Sequence, residues 1–200
     1  MMRRSFPVLL LCALAVLGSS CNLLAPQPDQ TRFAVLASAD ELSSVPRNSV
    51  KADAALQLGL GPISVPDYLR RTAIVTREGG TRLVPSPTES WAEPFESALA
   101  RVLELNLRRE TAVGSVILHP WYETERPQVQ VEIAFSRCER DATLGVVVEA
   151  HWRIRRIDGG KSAEHETRLE IPCASADGNE VARAISEALA ELCRQIGAAL

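Results

Sequence analysis

The stretch V-E-A-H-W-R-I-R-R-I-D-G-G-K-S-A-E-H-E-T-R-L-E-I, residues 148–171, decides the fold. Val148, Ala150, Trp152 and Ile154 fall on one side of an extended chain, and His151, Arg153 and Arg155 on the other. That period of two is the mark of a half-buried strand. Asp158-Gly159-Gly160-Lys161 is a hairpin turn signal. Closing the hairpin there sets Arg153 opposite Glu166 and Arg155 opposite Glu164. Val148, Ala150, Trp152 and Ile154 then meet Ile171, Leu169, Thr167 and His165. Opposite charges collect on one face and apolar groups on the other, as an antiparallel sheet with one wet face requires. A one-residue slip would bury the arginines. Upstream, Val129, Val131, Ile133 and Phe135 repeat the alternation, so Gln128 to Cys173 reads as a three-stranded antiparallel meander.

Outward from the meander, Val181, Ile185, Ala188, Leu189, Leu192 and Ile196 recur at helical spacing and predict a closing helix from about Asn179, laid on the sheet. A second main helix is expected from about Ser90, where Ser90 and Glu93 have capping-box spacing. Its apolar stripe is Trp91, Phe95, Leu99, Val102, Leu103 and Leu107, interrupted by Asn106. Before it, T-A-I-V-T-R, the turn E-G-G-T and R-L-V predict a hairpin closed by Pro85 and Pro87, and Asp67 to Arg71 a single helical turn. Ala52 to Leu60 alternates as a strand, residues 38–49 read as a loop, and Arg32 to Ala37 as a first strand. The fold class is α/β: one domain over residues 32–200, a mixed sheet ending in the meander, and two main helices.

The amino terminus carries an address. Arg3 and Arg4 precede an unbroken apolar run from Val8 to Leu17, and Gly18-Ser19-Ser20 leads into Cys21. That is the plan of a secretory signal peptide over residues 1–20. The run would be about 15 Å long as a helix, half the hydrocarbon core of a bilayer. A cysteine directly after small residues resembles a lipobox, which makes Cys21 the expected lipidation site, although Gly18 stands where Leu is usual. An ordinary cleaved signal peptide is the competing reading. Asn22 after the cysteine favours the outer membrane over inner-membrane retention. Residues 21–31 form the expected acylated tether.

Removal of the leader leaves about 180 residues, enough for one domain with a real core, and shifts the formal charge from −3 to −5 by loss of Arg3 and Arg4. A mildly acidic chain without a basic run gives nucleic acid no electrostatic purchase. Cys138, Cys173 and Cys193 show no metal-ligand spacing. In the meander Cys138 and Cys173 are separated by the central strand, about 9.5 Å, beyond disulfide reach unless a strand end curls. Three buried thiols are favoured over a pair. Gly59-x-Gly61 lacks the third glycine and the following helix of a dinucleotide fingerprint. His119, His151 and His165 are isolated, and no G-x-S-x-G, H-E-x-x-H or S-x-x-K stands in the chain. No catalytic residue, metal or cofactor is expected.

Two segments remain: L-G-L-G-P-I-S-V-P-D-Y-L-R-R (58–71) and S-W-A-E-P-F (90–95), separated by I-V-T-R…R-L-V. Gly61, Pro62, Ile63, Pro66, Tyr68, Leu69, Ile74, Val75, Arg77, Trp91, Ala92, Glu93 and Pro94, in this order and spacing, resemble the ABC-type transport auxiliary lipoprotein family; Ser90 replaces the arginine common before the Trp. The resemblance implies an α/β sandwich similar to the amino-terminal domain of TolB. It also implies a non-catalytic outer-membrane lipoprotein that docks a periplasmic MCE-domain protein of a permease or ABC-type lipid transport system, with assembly as a homo-oligomeric ring. Pro66, Tyr68 and Leu69 are the candidate partner contacts, Tyr68 and Leu69 as exposed anchors. Trp91 and Trp152 are the candidate structural anchors. The alternative is an envelope scaffold that supports lipopolysaccharide export or activates a cell-wall synthase.

Overall fold

The computed structural model describes residues 28–42, 53–111, 113–122, 125–157, 159–160 and 162–200. The expected signal peptide, Cys21, the tether as far as residue 27 and most of the 38–49 loop lie outside these residues. Thr31–Leu200 makes one compact unit. Its elements are β1 (Arg32–Ala34), β2 (Asp53–Ser64), a 3-10 turn (Asp67–Leu69), β3 (Ala73–Glu78), β4 (Arg82–Trp91), α1 (Phe95–Glu110), β5 (Val113–Leu118), β6 (Val129–Asp141), β7 (Gly145–Arg156), β8 (Ala163–Ile171) and α2 (Gly178–Ala199).

β6 is the spine of the single mixed sheet. One of its edges pairs along its whole length with β7, which in turn pairs with β8, and both pairings are antiparallel. The other edge is shared. β2 runs parallel to it from Val129 to Ala134, and β3 takes over, also parallel, at Arg140 and Asp141. β5 flanks β2, and β4 followed by β1 flanks β3. Both helices cover one face. α1 contributes Phe95, Leu99, Val102, Leu103 and Leu107, and α2 contributes Val181, Ile185, Leu189, Leu192 and Ile196. They enclose Leu58, Leu60, Val131, Ile133, Phe135, Val148, Ala150 and Trp152 of the sheet. The opposite face is open to solvent over the outer part of the meander, at His151, Arg153, Glu164, Glu166 and Arg168. Gly145 opens β7 with φ +86°, and a Cβ there would stand 2.3 Å from the Ile171 carbonyl oxygen. Only glycine fits.

The meander has the predicted faces but not the predicted register. Arg153 lies opposite Glu164, His151 opposite Glu166 and Trp152 opposite His165. The β7–β8 ladder stops at Ile154 and Ala163, so the connection is longer than a two-residue hairpin and the pairing moves by two residues. Because the shift is even, every side chain keeps its face.

The first helix starts later than expected. β4 continues through Pro85 and Pro87 to Trp91, and α1 begins at Phe95 behind Pro94, with no side-chain cap. β1 joins β4 only at Glu89 to Trp91. At the two prolines β4 therefore has a free edge, where a missing N–H costs no ladder bond. Glu93 forms an ion pair with Arg101 at 2.5 Å instead of closing a capping box. Asn106, the interruption in the stripe, is buried and accepts from the Ala39 N–H at 2.7 Å. α2 begins as predicted, with the Asp177 carboxylate capping the amides of Asn179 and Glu180, an arrangement worth about 1 kcal/mol.

β1 is shorter than the expected 32–37 segment. β2 is longer than expected and passes through a bulge and the cis Gly61–Pro62 bond to Ser64. Cys138, Cys173 and Cys193 are all buried and free.

Candidate functional site

The two signature segments meet where β2 gives up the edge of β6 and β3 takes it over. After Ser64 the chain lifts off, turns through Asp67–Leu69 with the Leu69 N–H bonded to the Pro66 carbonyl at 2.9 Å, and returns as β3. Val65 and Leu69 point into the core, Leu69 with only 4% of its surface exposed. The expectation of Leu69 as an exposed anchor is thus corrected: the turn faces its apolar residue inward because both ends of the segment are held at the sheet. Pro66 and Tyr68 are half-buried. Trp91 closes the far side. Its N–H donates to the Thr72 carbonyl at 2.7 Å and its ring lies 4.9 Å from that of Phe95. Trp91 therefore anchors the end of β4 ahead of α1. Arg70 reaches Glu96 of α1 at 3.6 Å, which ties one segment to the other.

Beneath Tyr68 is a residue that the motifs do not announce. Glu139 of β6 is buried and accepts four hydrogen bonds. Arg77 Nε (2.7 Å) and Arg137 Nε (2.9 Å) reach one oxygen; Tyr68 Oη (2.8 Å) and the Cys138 N–H (3.1 Å) reach the other. Arg77 also donates to Tyr68 Oη at 3.3 Å, and Arg137 continues to Asp141 at 3.2 Å. Two carboxylates face two guanidinium groups, so the buried charge is balanced. Burial, followed by the Glu139 carboxylate, pushes the Tyr68 phenol well above its ordinary range, and the bond to Glu139 strengthens the proton hold of Arg77. Asp141 goes the other way, lowered to about 2. The Thr143 amide is the largest cause, with the Thr143 hydroxyl, Arg137 and the Leu144 amide adding to it against burial.

A β-bulge between Phe135 and Arg137 creates this site. Up to Phe135 the odd-numbered residues of β6 face the helices; beyond the bulge Cys138 does, and Glu139 is turned to the face on which Tyr68 lies. The readable signal was the i, i+2 series Arg137, Glu139, Asp141, together with the polar Tyr68 and Arg77 inside apolar motifs. Chemically the arrangement is a lock: it joins the crossing segment, β3 and β6 through charge-assisted bonds. Burial, the leading cause in each case, also raises the thiols of Cys138, Cys193 and Cys173. A thiol held protonated is a poor nucleophile.

The open face of the meander carries Glu132, Glu149, His151, Arg153, Glu164 and Arg168 in cross-strand pairs, including Arg153–Glu164 at 2.6 Å and His151–Glu166 at 3.2 Å. A groove of 350 Å³ runs over it between Pro62, Glu132, His151 and Glu166. Trp152 belongs to the other face. It is buried, stacks on His165 at 4.1 Å and donates to Thr167 Oγ1 at 3.0 Å. Among the described residues, no group of three or more His, Cys, Asp or Glu side chains is placed to hold a metal ion.

The model of the ABC-type transport auxiliary lipoprotein component family matches residues 41–197. No curated protein matches the chain. Among solved structures, a protein of Xanthomonas campestris is 17% identical with a TM-score of 0.65, over 85% of this chain and 92% of that one. The crystal structure of an uncharacterised protein is 18% identical with a TM-score of 0.63, over 72% and 91%. The PelC dodecamer from Paraburkholderia phytofirmans is 12% identical with a TM-score of 0.38, over 74% and 92%.

Proposed function

The chain belongs to the family of ABC-type transport auxiliary lipoprotein components, and on that premise we propose that it is a non-catalytic lipoprotein of the outer membrane, on the periplasmic side, that docks an MCE-domain protein of an intermembrane lipid transport system. The family match over residues 41–197 carries this reading. It is supported by the leader-like residues 1–20 directly before Cys21; in this reading the acyl chains on Cys21 hold the domain at the bilayer while residues 22–31 act as spacer. Among the described residues no helix is long and apolar enough to cross a membrane.

Docking through the crossing segment is part of the proposal. Pro66 and Tyr68 keep part of their surface at the solvent there, and Leu69 holds the segment from within. Phe33 and Val35, exposed on and just beyond edge strand β1, are offered as the contact between copies in a homo-oligomeric ring.

The test is co-purification of the tagged, acylated protein from envelope membranes. An MCE-domain protein and its permease should be retained. Cys21→Ala should abolish palmitate labelling and remove the protein from the outer-membrane fraction. Retention of a cell-wall synthase instead of an MCE protein would replace this reading with the scaffold alternative.

A further inference from the structure

A second recess lies on the open sheet face, away from the Glu139 lock. Gly59, Gln130 and Arg155 form one row across β2, β6 and β7. Gly59 has no side chain, and the ring of Trp121 lies over it: a Cβ on Gly59 would stand 3.0 Å from the indole and 2.5 Å from Pro127. Trp121 thus becomes a wall, with His119 set edge-on against it at 5.1 Å. The floor is Gln130, only 3% exposed. Its amide nitrogen donates to the Gly61 carbonyl at 2.8 Å, and its oxygen accepts from Arg155. The recess is open to solvent and has a volume of about 280 Å³, and Arg126 and Ile157 complete the lining.

We propose that this recess binds the phosphate of an anionic phospholipid headgroup. Arg126 and Arg155 bring two guanidinium groups to one small cavity, and a guanidinium fork matches phosphate oxygens. Gln130 restrains Arg155 before any ligand arrives, which lowers the ordering cost of binding. Glu132 also approaches Arg155, at 3.6 Å, from the side of the neighbouring groove. The rim names the source of the phosphate. Ile157, which lines the recess, is partly exposed, and Tyr122, next to Trp121 in the chain, is 78% exposed, so apolar and aromatic groups accompany the arginines as on protein surfaces that meet lipid headgroups. The volume is at the small end of ligand pockets, about 300 Å³ and upward. It suits a phosphate ester with the acyl chains outside, along the rim. This site deepens the lipid-transport reading and rests on it for the choice of a lipid over a free anion.

The whole core lies between Ala34 and Leu200, so the chain from residue 22 to 200 retains it. That protein is titrated with dihexanoylphosphatidylglycerol below its micelle concentration, with tryptophan fluorescence as readout. Trp91 and Trp152 are buried in the core, so Trp121 reports. A saturable change is expected. Arg155→Ala and Arg126→Ala should each weaken it by about tenfold or more, the loss of roughly 1.4 kcal/mol, with melting temperatures held. Arg168→Ala, on the same face outside the recess, should not change it. Dihexanoylphosphatidylcholine and inorganic phosphate should bind about tenfold more weakly. Equal binding of inorganic phosphate overturns the lipid assignment. Equal binding of the zwitterionic lipid, insensitivity to Arg155→Ala, or no saturable change overturns the site. The titration contains no partner protein, so failure to capture an MCE protein leaves it standing, and the reverse holds too.

Discussion

Glu139→Gln is the sharpest test of the lock beneath Tyr68. In the native site one carboxylate oxygen accepts from Arg77 and Arg137, and the other from Tyr68 and the Cys138 N–H. An amide of the same shape removes the charge that both arginines face, and it must turn its NH2 toward one of these pairs of donors. Turned toward Tyr68, it leaves the phenol free to rotate and accept but sets two donors against each other at Cys138. Turned the other way, it faces two guanidinium groups. The side chain of Glu139 is 1% exposed, and those of Arg77 and Arg137 are 16% and 18% exposed, so water cannot repair either arrangement. Removal of one partner from a buried pair costs about 3–5 kcal/mol, a fall in Tm of roughly 6–20 °C for a domain of this size. Tyr68→Phe, which deletes the bond to the Glu139 carboxylate and the longer one accepted from Arg77, should cost about 1.5 kcal/mol. Once Glu139 is neutral, Tyr68→Phe should cost about 0.5 kcal/mol or less, leaving a coupling of about 1 kcal/mol in the double-mutant cycle. Urea unfolding followed by circular dichroism, with residues 22–200 of all four proteins, measures each quantity. A loss below about 1 kcal/mol for Glu139→Gln, or strict additivity, refutes the reasoning.

On the meander, Trp152→Ala should cost about 3–5 kcal/mol as a core truncation, and Arg153→Glu about 0.5–1 kcal/mol because its exposed pairs are weak; equal losses in the same unfolding assay would mean that the faces are wrongly assigned. Asp141 has a folded-state value near 2 against an ordinary 3.8. Its contribution to stability is therefore fully present above about pH 4 and is lost as the pH falls toward 2. Asp141→Asn should flatten that part of the acid unfolding curve, and an unchanged curve would rule the contribution out. Cys138, Cys173 and Cys193 should resist a thiol reagent at pH 8 in the native chain from residue 22 and react together in denaturant; rapid native labelling of Cys138 or Cys193 would contradict their burial.

The meander faces were legible because alternation over β6, β7 and β8 admits one amphipathic solution. The register was not, because the turn motif fixes where the chain reverses but not how far the ladder extends toward it. Helix α2 was legible at both ends of its apolar face and at its start. Helix α1 was misplaced because Pro85 and Pro87 read as punctuation, whereas a strand with a free edge accepts them. In the candidate site the motifs brought Tyr68, Arg77 and Trp91 into view, yet Glu139 stayed hidden. Its face depends on a bulge after Phe135, and a bulge changes the parity of everything beyond it without any single diagnostic residue. Leu69 was misjudged because a three-residue turn gives no periodicity from which to read its inward direction.

The shared edge of β6 also sets an order of events. β2 is central in the sheet, but apart from β5 its pairing partner is a strand about seventy residues later in the chain, and β3 waits for the same strand. A chain that is made, or threaded through a pore, amino terminus first therefore holds everything up to β5 as an unfinished half. It presents the free sides of β2 and β3 and half a core until β6 arrives. The hairpins of β6, β7 and β8 are short-range and close quickly once they emerge, whereas the parallel pairings to β2 and β3 carry a large loop-closure cost and come afterwards. Stable structure is thereby deferred to the last third of the sequence. Under the export to the cell envelope proposed above, that delay keeps the amino-terminal half extensible during passage and places its period of greatest exposure to aggregation just before the meander is complete.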